Sequence, residues 1–188
     1  MNIFFKLNRL ILQTLFLYIF TLVSPSLSLE NLHRGKSVSD YFSGIISLQD
    51  SKYKESYNFL RNLESLEDNH LIYSKLYLEA LVNNSKINEA YKYSKKLKKK
   101  DINFFQSDIV IISKLIKNND FQKANIYLTT VNKNYYTPIQ ELLRQVISRW
   151  ILVEKSKLSY NEAQEIFKLI SPKYKNIKKI NDVFLNCY

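Results

Sequence analysis

Cysteine, glycine, proline and histidine are all scarce in this sequence of 188 residues. It contains 1 Cys, 2 Gly, 3 Pro and 2 His. The single cysteine, Cys187, allows no internal disulfide, so the fold must be stabilised by packing alone. So little glycine and proline argues against a β-rich or disordered chain and favours helices. The sequence also has no glycine-rich loop that could cradle a phosphate.

Residues suited to catalysis or metal binding are isolated from one another. His33 and His70 have no second histidine or cysteine at the spacing of metal ligands. Cys187 has no neighbouring candidate base that could activate it as a nucleophile. We therefore expect a protein that is not an enzyme, with no catalytic residue, no metal site and no cofactor.

The first 28 residues have the layout of a secretory signal peptide. Lys6 and Arg9 precede an apolar run from Leu10 to Val23, and small residues follow that run. The run is shorter than the about 20 residues that span a bilayer as a helix. We predict a signal peptide over 1–28, a linker over 29–38, and export to the bacterial periplasm. The alternative is an uncleaved anchor in the inner membrane.

Positive charge exceeds negative charge in the sequence as a whole. The net charge is +11, and it falls to +9 if Lys6 and Arg9 leave with the leader. Such a balance suits nucleic acid, anionic lipid or an acidic protein, but lysine is also abundant in chains from AT-rich genomes. The densest run, Lys95 to Lys100, ends a predicted helix, where cations complement the helix dipole. We interpret this run as a solvated helix end.

Small residues recur at a fixed step along the middle of the sequence. Ser56, Ala90 and Ala124 are 34 residues apart, and a looser fourth copy places Ala163 a further 39 residues on. Apolar residues recur with them. They stand three before (Tyr53, Ile87, Phe121), three after (Phe59, Tyr93, Tyr127), seven after (Leu63, Leu97, Val131) and eight before (Leu48, Val82, Ile116).

These columns predict two helices in each unit. The offsets from three before to seven after lie near one helical face, whereas the residue eight before is separated by a polar break. A unit of this length cannot bury its apolar face alone, so successive helix pairs must stack. The sequence therefore predicts an α-solenoid of stacked antiparallel helix pairs.

The pattern resembles that of the tetratricopeptide repeat (TPR) family, and more narrowly of exported bacterial TPR proteins. Gly44 stands where the family has a small residue in its first helix, and Ser56, Ala90, Ala124 and Ala163 stand at its small second-helix position. The family's tryptophan and closing proline are missing, and Leu78 and Ile112 replace the equivalents of Gly44. The resemblance implies an all-α, right-handed solenoid over residues 39–188, incomplete at its C-terminal end.

In that family the inner surface comes mainly from the first helix of each pair. The resemblance therefore implies a partner-binding groove lined by polar residues of these helices, namely Gln49, Lys75, Glu79, Asn83, Gln106, Ser113 and Lys117. The family's clamp for a peptide carboxylate pairs lysine with asparagine on adjacent first helices. Here Glu79 follows Lys75, and Ile45 stands one repeat earlier, so the clamp is not expected.

The last predicted helix has an apolar stripe with no predicted helix to cover it. Ile180, Val183, Phe184 and Cys187 have the spacing of a buried face. Solenoids close with a polar capping element, because an open end exposes a whole interface between repeats. We expect further repeats or a partner to cover this stripe.

Three functions remain open from the sequence. The first is an exported scaffold that binds a protein or peptide of unknown identity through its concave surface. The second is a membrane-tethered assembly factor of the cell envelope, held by residues 1–28. The third is an RNA-binding helical repeat, which the charge suits but the leader disfavours, because an exported protein meets little RNA.

Overall fold

The computed structural model describes residues 26–66, 70–131, 134, 136–168 and 174–187. These residues form helices and no strand, which confirms the all-α prediction for the described part of the chain. The α-helices are α1 Ser26–Gln49, α2 Tyr53–Leu60, α3 Leu71–Asn83, α4 Ile87–Lys99, α5 Phe105–Lys117, α6 Phe121–Thr130, α7 Pro138–Ser156, α8 Tyr160–Lys168 and α9 Lys175–Cys187. A short 3₁₀ helix, Arg61–Leu66, follows α2.

The predicted signal peptide lies mostly outside the described residues. Its last residues, 26–28, and the whole predicted linker, 29–38, belong to α1. None of the helices in the described ranges is long and apolar enough to cross a membrane.

The turns that join paired helices repeat at the 34-residue step. Ser51, Ser85 and Asn119 all have a left-handed backbone, with φ of 59°, 58° and 59°. In each turn the N–H of the residue after the left-handed one donates a hydrogen bond to the carbonyl five residues before it, as in a Schellman helix end. These bonds are Lys52 N to Ser47 O at 2.8 Å, Lys86 N to Leu81 O at 2.9 Å and Asp120 N to Leu115 O at 2.9 Å. The repeat is therefore present in the backbone as well as in the side chains.

The chain divides into two compact units, residues 1–64 and 65–188, and the boundary falls inside the predicted repeat domain 39–188. In the first unit, α1 packs against α2. Gly44 lies at the contact, because a Cβ atom there would be 2.6 Å from Leu60 Cδ2. The buried Ser56 hydroxyl donates a hydrogen bond of 2.8 Å to the Gly44 carbonyl oxygen. Two small residues thus allow the backbones to approach closely.

In the second unit each helix packs against the next along the chain, and α3 also contacts α5. One cluster of the core joins α5, α6 and α7 through Ile112, Ala124, Leu128 and Ile151. Another joins α7, α8 and α9 through Leu142, Val153, Ala163, Phe167 and Leu185. Ala90, like Ala124 and Ala163, is fully buried. Leu78 and Ile112, at the positions equivalent to Gly44, are each 1% exposed.

The loosened spacing before the fourth copy is explained mainly by the length of one helix. Helix α7 has 19 residues, whereas α5, its counterpart one unit earlier, has 13. Thr137 begins α7 with a capping box, in which its side chain accepts from the Gln140 N–H and the Gln140 side chain accepts from the Thr137 N–H. Lys157 ends it in a left-handed conformation, with φ of 49°. The extra residues are therefore accommodated largely as helix.

Helix α9 exposes the apolar stripe that the sequence singled out. Ile180, Val183 and Phe184 are 54%, 62% and 59% exposed. A neighbouring face of the helix packs inward through Asn181 and Leu185, each 3% exposed. The stripe thus has the spacing of a buried face but is exposed within the described part of the chain, and its cover by further repeats or a partner stays a prediction.

Candidate functional site

A groove of about 460 Å³ lies between α3 and α5, and we call it the α3–α5 groove. Its apolar lining consists of Leu78, Val82, Phe105, Ile109 and Val110, and its polar lining consists of Lys75, Glu79, Asn83 and Gln106. The α3 residues recur at helical spacing, so they present one face of that helix. The result is an apolar trough bordered by polar side chains.

Four of the seven predicted partner-binding residues come together in this groove. They are Lys75, Glu79, Asn83 and Gln106, and all four are exposed. Ser113 and Lys117 are also exposed, but they lie farther along α5 and do not line the groove. Gln49 is exposed at the end of α1, in the other compact unit.

Lys75 is positioned by an aromatic ring at the start of α5. Its ammonium nitrogen lies 5.8 Å from the centre of the Phe104 ring, which is within the range of a cation–π contact. Phe104 itself is 3% exposed, so the ring is a fixed support. Lys75 therefore carries a positive charge at the border of the groove, one helical turn from the carboxylate of Glu79.

Sequence reasoning missed a second groove, of about 490 Å³, formed by α4, α5 and α6. We call it the lysine-rimmed groove, because Lys95, Lys98, Lys99 and Lys123 line it. Its remaining lining consists of Tyr91, Ile111, Leu115, Ile126, Tyr127 and Thr130. Part of the lysine run that was interpreted as a solvated helix end thus borders an apolar surface.

A buried carboxylate lies behind the lysine-rimmed groove. Asp108 is 0% exposed, and its two oxygens accept hydrogen bonds from the hydroxyls of Tyr127 at 2.6 Å and Tyr136 at 2.9 Å. The Lys98 ammonium nitrogen lies 3.9 Å from the same carboxylate. A buried charge is tolerated when it is paired and hydrogen-bonded in this way. Asp108 therefore serves the packing of α5 against α6 and fixes the ring of Tyr127.

Two arginines of α7 tie it to its neighbours and lie outside both grooves. Arg144 donates to the carbonyl of Leu128, in the last turn of α6, at 3.3 Å, and Arg149 donates to the carbonyl of Ile166, in α8, at 3.2 Å. The hydrogen bond from Arg144 to Glu141 raises the pKa of Arg144. Burial lowers the pKa of Arg149. Both cations satisfy carbonyl groups near helix ends, so their role is structural.

The described ranges contain no candidate metal centre, and His70 and Cys187 lie apart from each other. Within these ranges, no three His, Cys, Asp or Glu residues are placed so that they could hold a metal ion. His70 has a structural task, because its Nδ1 accepts the Tyr73 N–H at 3.0 Å and so caps α3. Cys187 is exposed at the end of α9.

No family model, no curated protein and no solved structure matches the chain. The resemblance to the TPR family therefore stays a prediction.

Proposed function

We propose that the protein is a non-enzymatic, TPR-like scaffold that binds a peptide or protein segment in the α3–α5 groove. The observation that carries the proposal is the convergence of Lys75, Glu79, Asn83 and Gln106 around an apolar trough. Ligand sites are commonly apolar hollows of about 300–1,000 Å³ with a few polar groups that fix orientation. The groove, at about 460 Å³, has that size and that composition.

The polar groups suit a peptide better than a uniformly charged ligand. One lysine and one glutamate border the groove, so its ionic charges balance. The amides of Asn83 and Gln106 each offer donors and an acceptor, which is the pattern that a peptide backbone requires. The apolar lining, including Val82 at 38% exposed, can receive the side chains of the ligand. RNA is the weaker candidate here, because its binding depends on neutralising many phosphates.

The proposed architecture is a right-handed solenoid, which leaves the first helices of successive pairs side by side. The contact of α3 with α5, in addition to the contacts of each with α4, supports this arrangement. The repeated left-handed turns at Ser51, Ser85 and Asn119 support a repeated unit. We further propose that the protein is exported to the periplasm by residues 1–28, or tethered to the inner membrane by them as an envelope assembly factor.

A photo-crosslinking experiment tests the groove. The photoreactive amino acid benzoylphenylalanine is placed at Gln106, in the groove, and in a matched variant at Lys155, which is exposed on α7 and lines neither groove. Irradiation of expressing cells should give a discrete protein adduct from position 106 and none from position 155. The adduct should weaken when Glu79→Arg is added, because that change removes the balance of charge in the groove.

Equal crosslinking from both positions, or an RNA adduct at position 106, would contradict the proposal. N-terminal sequencing tests the location, because cleavage after Ser28 leaves Leu29 as the first residue. Retention of Met1 in a membrane fraction that resists carbonate extraction would favour the tethered form. Retention of Met1 in the cytosol would exclude export.

A further inference from the structure

The lysine-rimmed groove combines an apolar floor with charges of one sign. Ile111, Leu115 and Ile126 supply apolar surface, and Ile126 is 51% exposed. The ionisable carboxylates that pair with the rim do not line the groove itself. Asp108 is buried behind Lys98, and Asp120 contacts Lys123 at 3.2 Å. The surface presented to a ligand is therefore apolar in the centre and positive at its border.

The positive charges lie toward both ends of the groove. The turns between α4 and α5 and between α5 and α6 are short, so the chain reverses twice and α4 and α6 run in the same direction. Lys98 and Lys99 lie in the last turn of α4, and Lys123 lies in the first turn of α6. A ligand with a single anionic headgroup would meet charge at one end only. A ligand with several carboxylates along its length meets Lys98 and Lys99 at one end and, at the other, Lys123, which Asp120 also contacts.

The aromatic rings of the groove are already occupied by lysines. The ammonium of Lys95 lies 5.6 Å from the centre of the Tyr91 ring, and that of Lys98 lies 5.6 Å from the centre of the Tyr127 ring. Proteins that bind single-stranded nucleic acid use open aromatic faces on which bases stack. Here the rings instead hold cations in place above the apolar floor, which favours recognition of carboxylates.

From this arrangement we propose that the lysine-rimmed groove binds an acidic, amphipathic peptide segment of a partner protein. Apolar side chains of the segment, spaced at i, i+3 and i+4, contact Ile111, Leu115 and Ile126, in the manner of a helix laid in a groove. Its Asp and Glu side chains face Lys95, Lys99 and Lys123. This site is separate from the α3–α5 groove, so the chain carries two peptide-binding surfaces of different charge.

Peptide display on the full chain tests this proposal. A random library of 16-residue peptides is selected against the immobilised protein, and enriched peptides are then measured one by one by fluorescence anisotropy. We expect peptides with an excess of Asp and Glu and with apolar residues at helical spacing. Their affinity should fall by about tenfold or more in the double variant Lys95→Glu, Lys99→Glu, because like charges then face each other. It should also fall as salt is raised.

Two matched variants separate this site from the rest of the surface. Lys75→Glu reverses one charge in the α3–α5 groove, and Lys155→Glu reverses one on exposed α7, so that together they match the two reversals of Lys95→Glu, Lys99→Glu. Both should leave the affinity of the acidic peptides within about twofold, because single exposed charges far from a site contribute little. Ile126→Ser should weaken binding without any change of charge, which a purely electrostatic attraction would not show. Circular dichroism of each variant checks that the helices are retained.

The proposal is overturned if the enriched peptides lack an acidic bias, or if Lys95→Glu, Lys99→Glu binds them as well as the unchanged chain does. It is also overturned if no peptide is enriched. In that last case, vesicles of anionic phospholipid and single-stranded RNA are tested, and binding to either that is lost in the same double variant reassigns the groove. Loss of crosslinking at Gln106 in the α3–α5 groove would leave this result unaffected, so the two proposals fail separately.

Discussion

Replacement of Gly44 by alanine tests whether the small residues of the repeat mark contacts between helices. Alanine is favoured over glycine in a helix by about 1 kcal/mol. At Gly44, however, the new Cβ would lie 2.6 Å from Leu60 Cδ2 and 2.7 Å from Leu60 Cγ. Leu60 is 0% exposed, so it cannot swing into water. Overpacking costs about 1–3 kcal/mol, and a clash with the branched Cγ of Leu60 places the cost near the upper end of that range. Subtracting the gain of about 1 kcal/mol in helix propensity leaves a net loss of about 2 kcal/mol in stability.

The other glycine of the chain provides the matched control. Gly35 lies in the same helix, α1, and its Cβ would have nothing within 4 Å. Gly35→Ala should therefore raise stability by about 0.5–1 kcal/mol, because only the helix propensity changes. Urea unfolding followed by far-UV circular dichroism gives the two values. Hydrogen exchange of amides in 41–60 shows whether the change is local to the first unit.

A double variant isolates the contact itself. Leu60→Ala removes the carbon atoms that the new methyl group would strike, so Gly44→Ala should cost less in that background. We expect an interaction energy of about 1–3 kcal/mol between the two positions, because residues in contact are not additive. Additive effects, or a Gly44→Ala chain at least as stable as Gly35→Ala, would refute the close approach of α1 and α2.

Three further predictions follow from single contacts. Asp108→Ala should lower the free energy of unfolding by about 1.5–3 kcal/mol, because a buried carboxylate and its hydrogen bonds are lost. Tyr127→Phe should lower it by less, because only one of those hydrogen bonds is lost. An Asp108→Ala chain as stable as the original would contradict this. Ala90→Trp should cost about 1–3 kcal/mol or more by overpacking a fully buried position, as thermal unfolding can show. The hydrogen bonds that Glu162 accepts from Ser159 hold its pKa below the ordinary 4.5, so their support of α8 is present at neutral pH and lost as the pH falls through that lowered pKa. In Ser159→Ala, the pKa of Glu162 measured by NMR titration should rise toward 4.5.

Periodicity made the local structure of the repeats predictable. The column of small residues predicted positions of close packing, and Ser56, Ala90, Ala124 and Ala163 are all 0% exposed. The polar breaks predicted turns, and the left-handed residues of the paired helices fall inside them. These features depend on residues close in sequence, whose geometry is set by helical spacing and turn chemistry. The fold class could be predicted from the sequence for the same reason.

The grooves were less predictable, because their lining depends on how far each helix face turns toward its neighbour. Projection of the repeat placed Ser113 and Lys117 with Gln106 on one surface, but only Gln106 reaches the α3–α5 groove. The lysine run of α4 was likewise not predictable as part of a groove. In the sequence of α4 alone, Lys95 and Lys99 have the pattern of solvated residues. They border a groove only because α5 and α6 supply its other lining residues. A charge pattern within one helix cannot show which apolar side chains the next helices supply.

Equivalent positions of two repeats hold a neutral residue in one and a charged residue in the other. The Tyr93 hydroxyl donates to Ser74 Oγ at 3.3 Å, and one repeat later the Tyr127 hydroxyl donates to Asp108 at 2.6 Å. The two residues of each pair are 19 apart in sequence, so the two pairs occupy equivalent positions. The acceptor is a serine hydroxyl in the first pair and an aspartate carboxylate in the second. That carboxylate attracts Lys98, which then lies over the ring of Tyr127 at the border of the lysine-rimmed groove. The Lys98 ammonium also donates to Asn103 Oδ1 at 2.8 Å, so Lys98 does not depend on Asp108 alone. Asp108→Ser, which copies the earlier repeat into the later one, should therefore remove only the carboxylate contact of Lys98 and weaken the binding of acidic peptides less than Lys95→Glu, Lys99→Glu does.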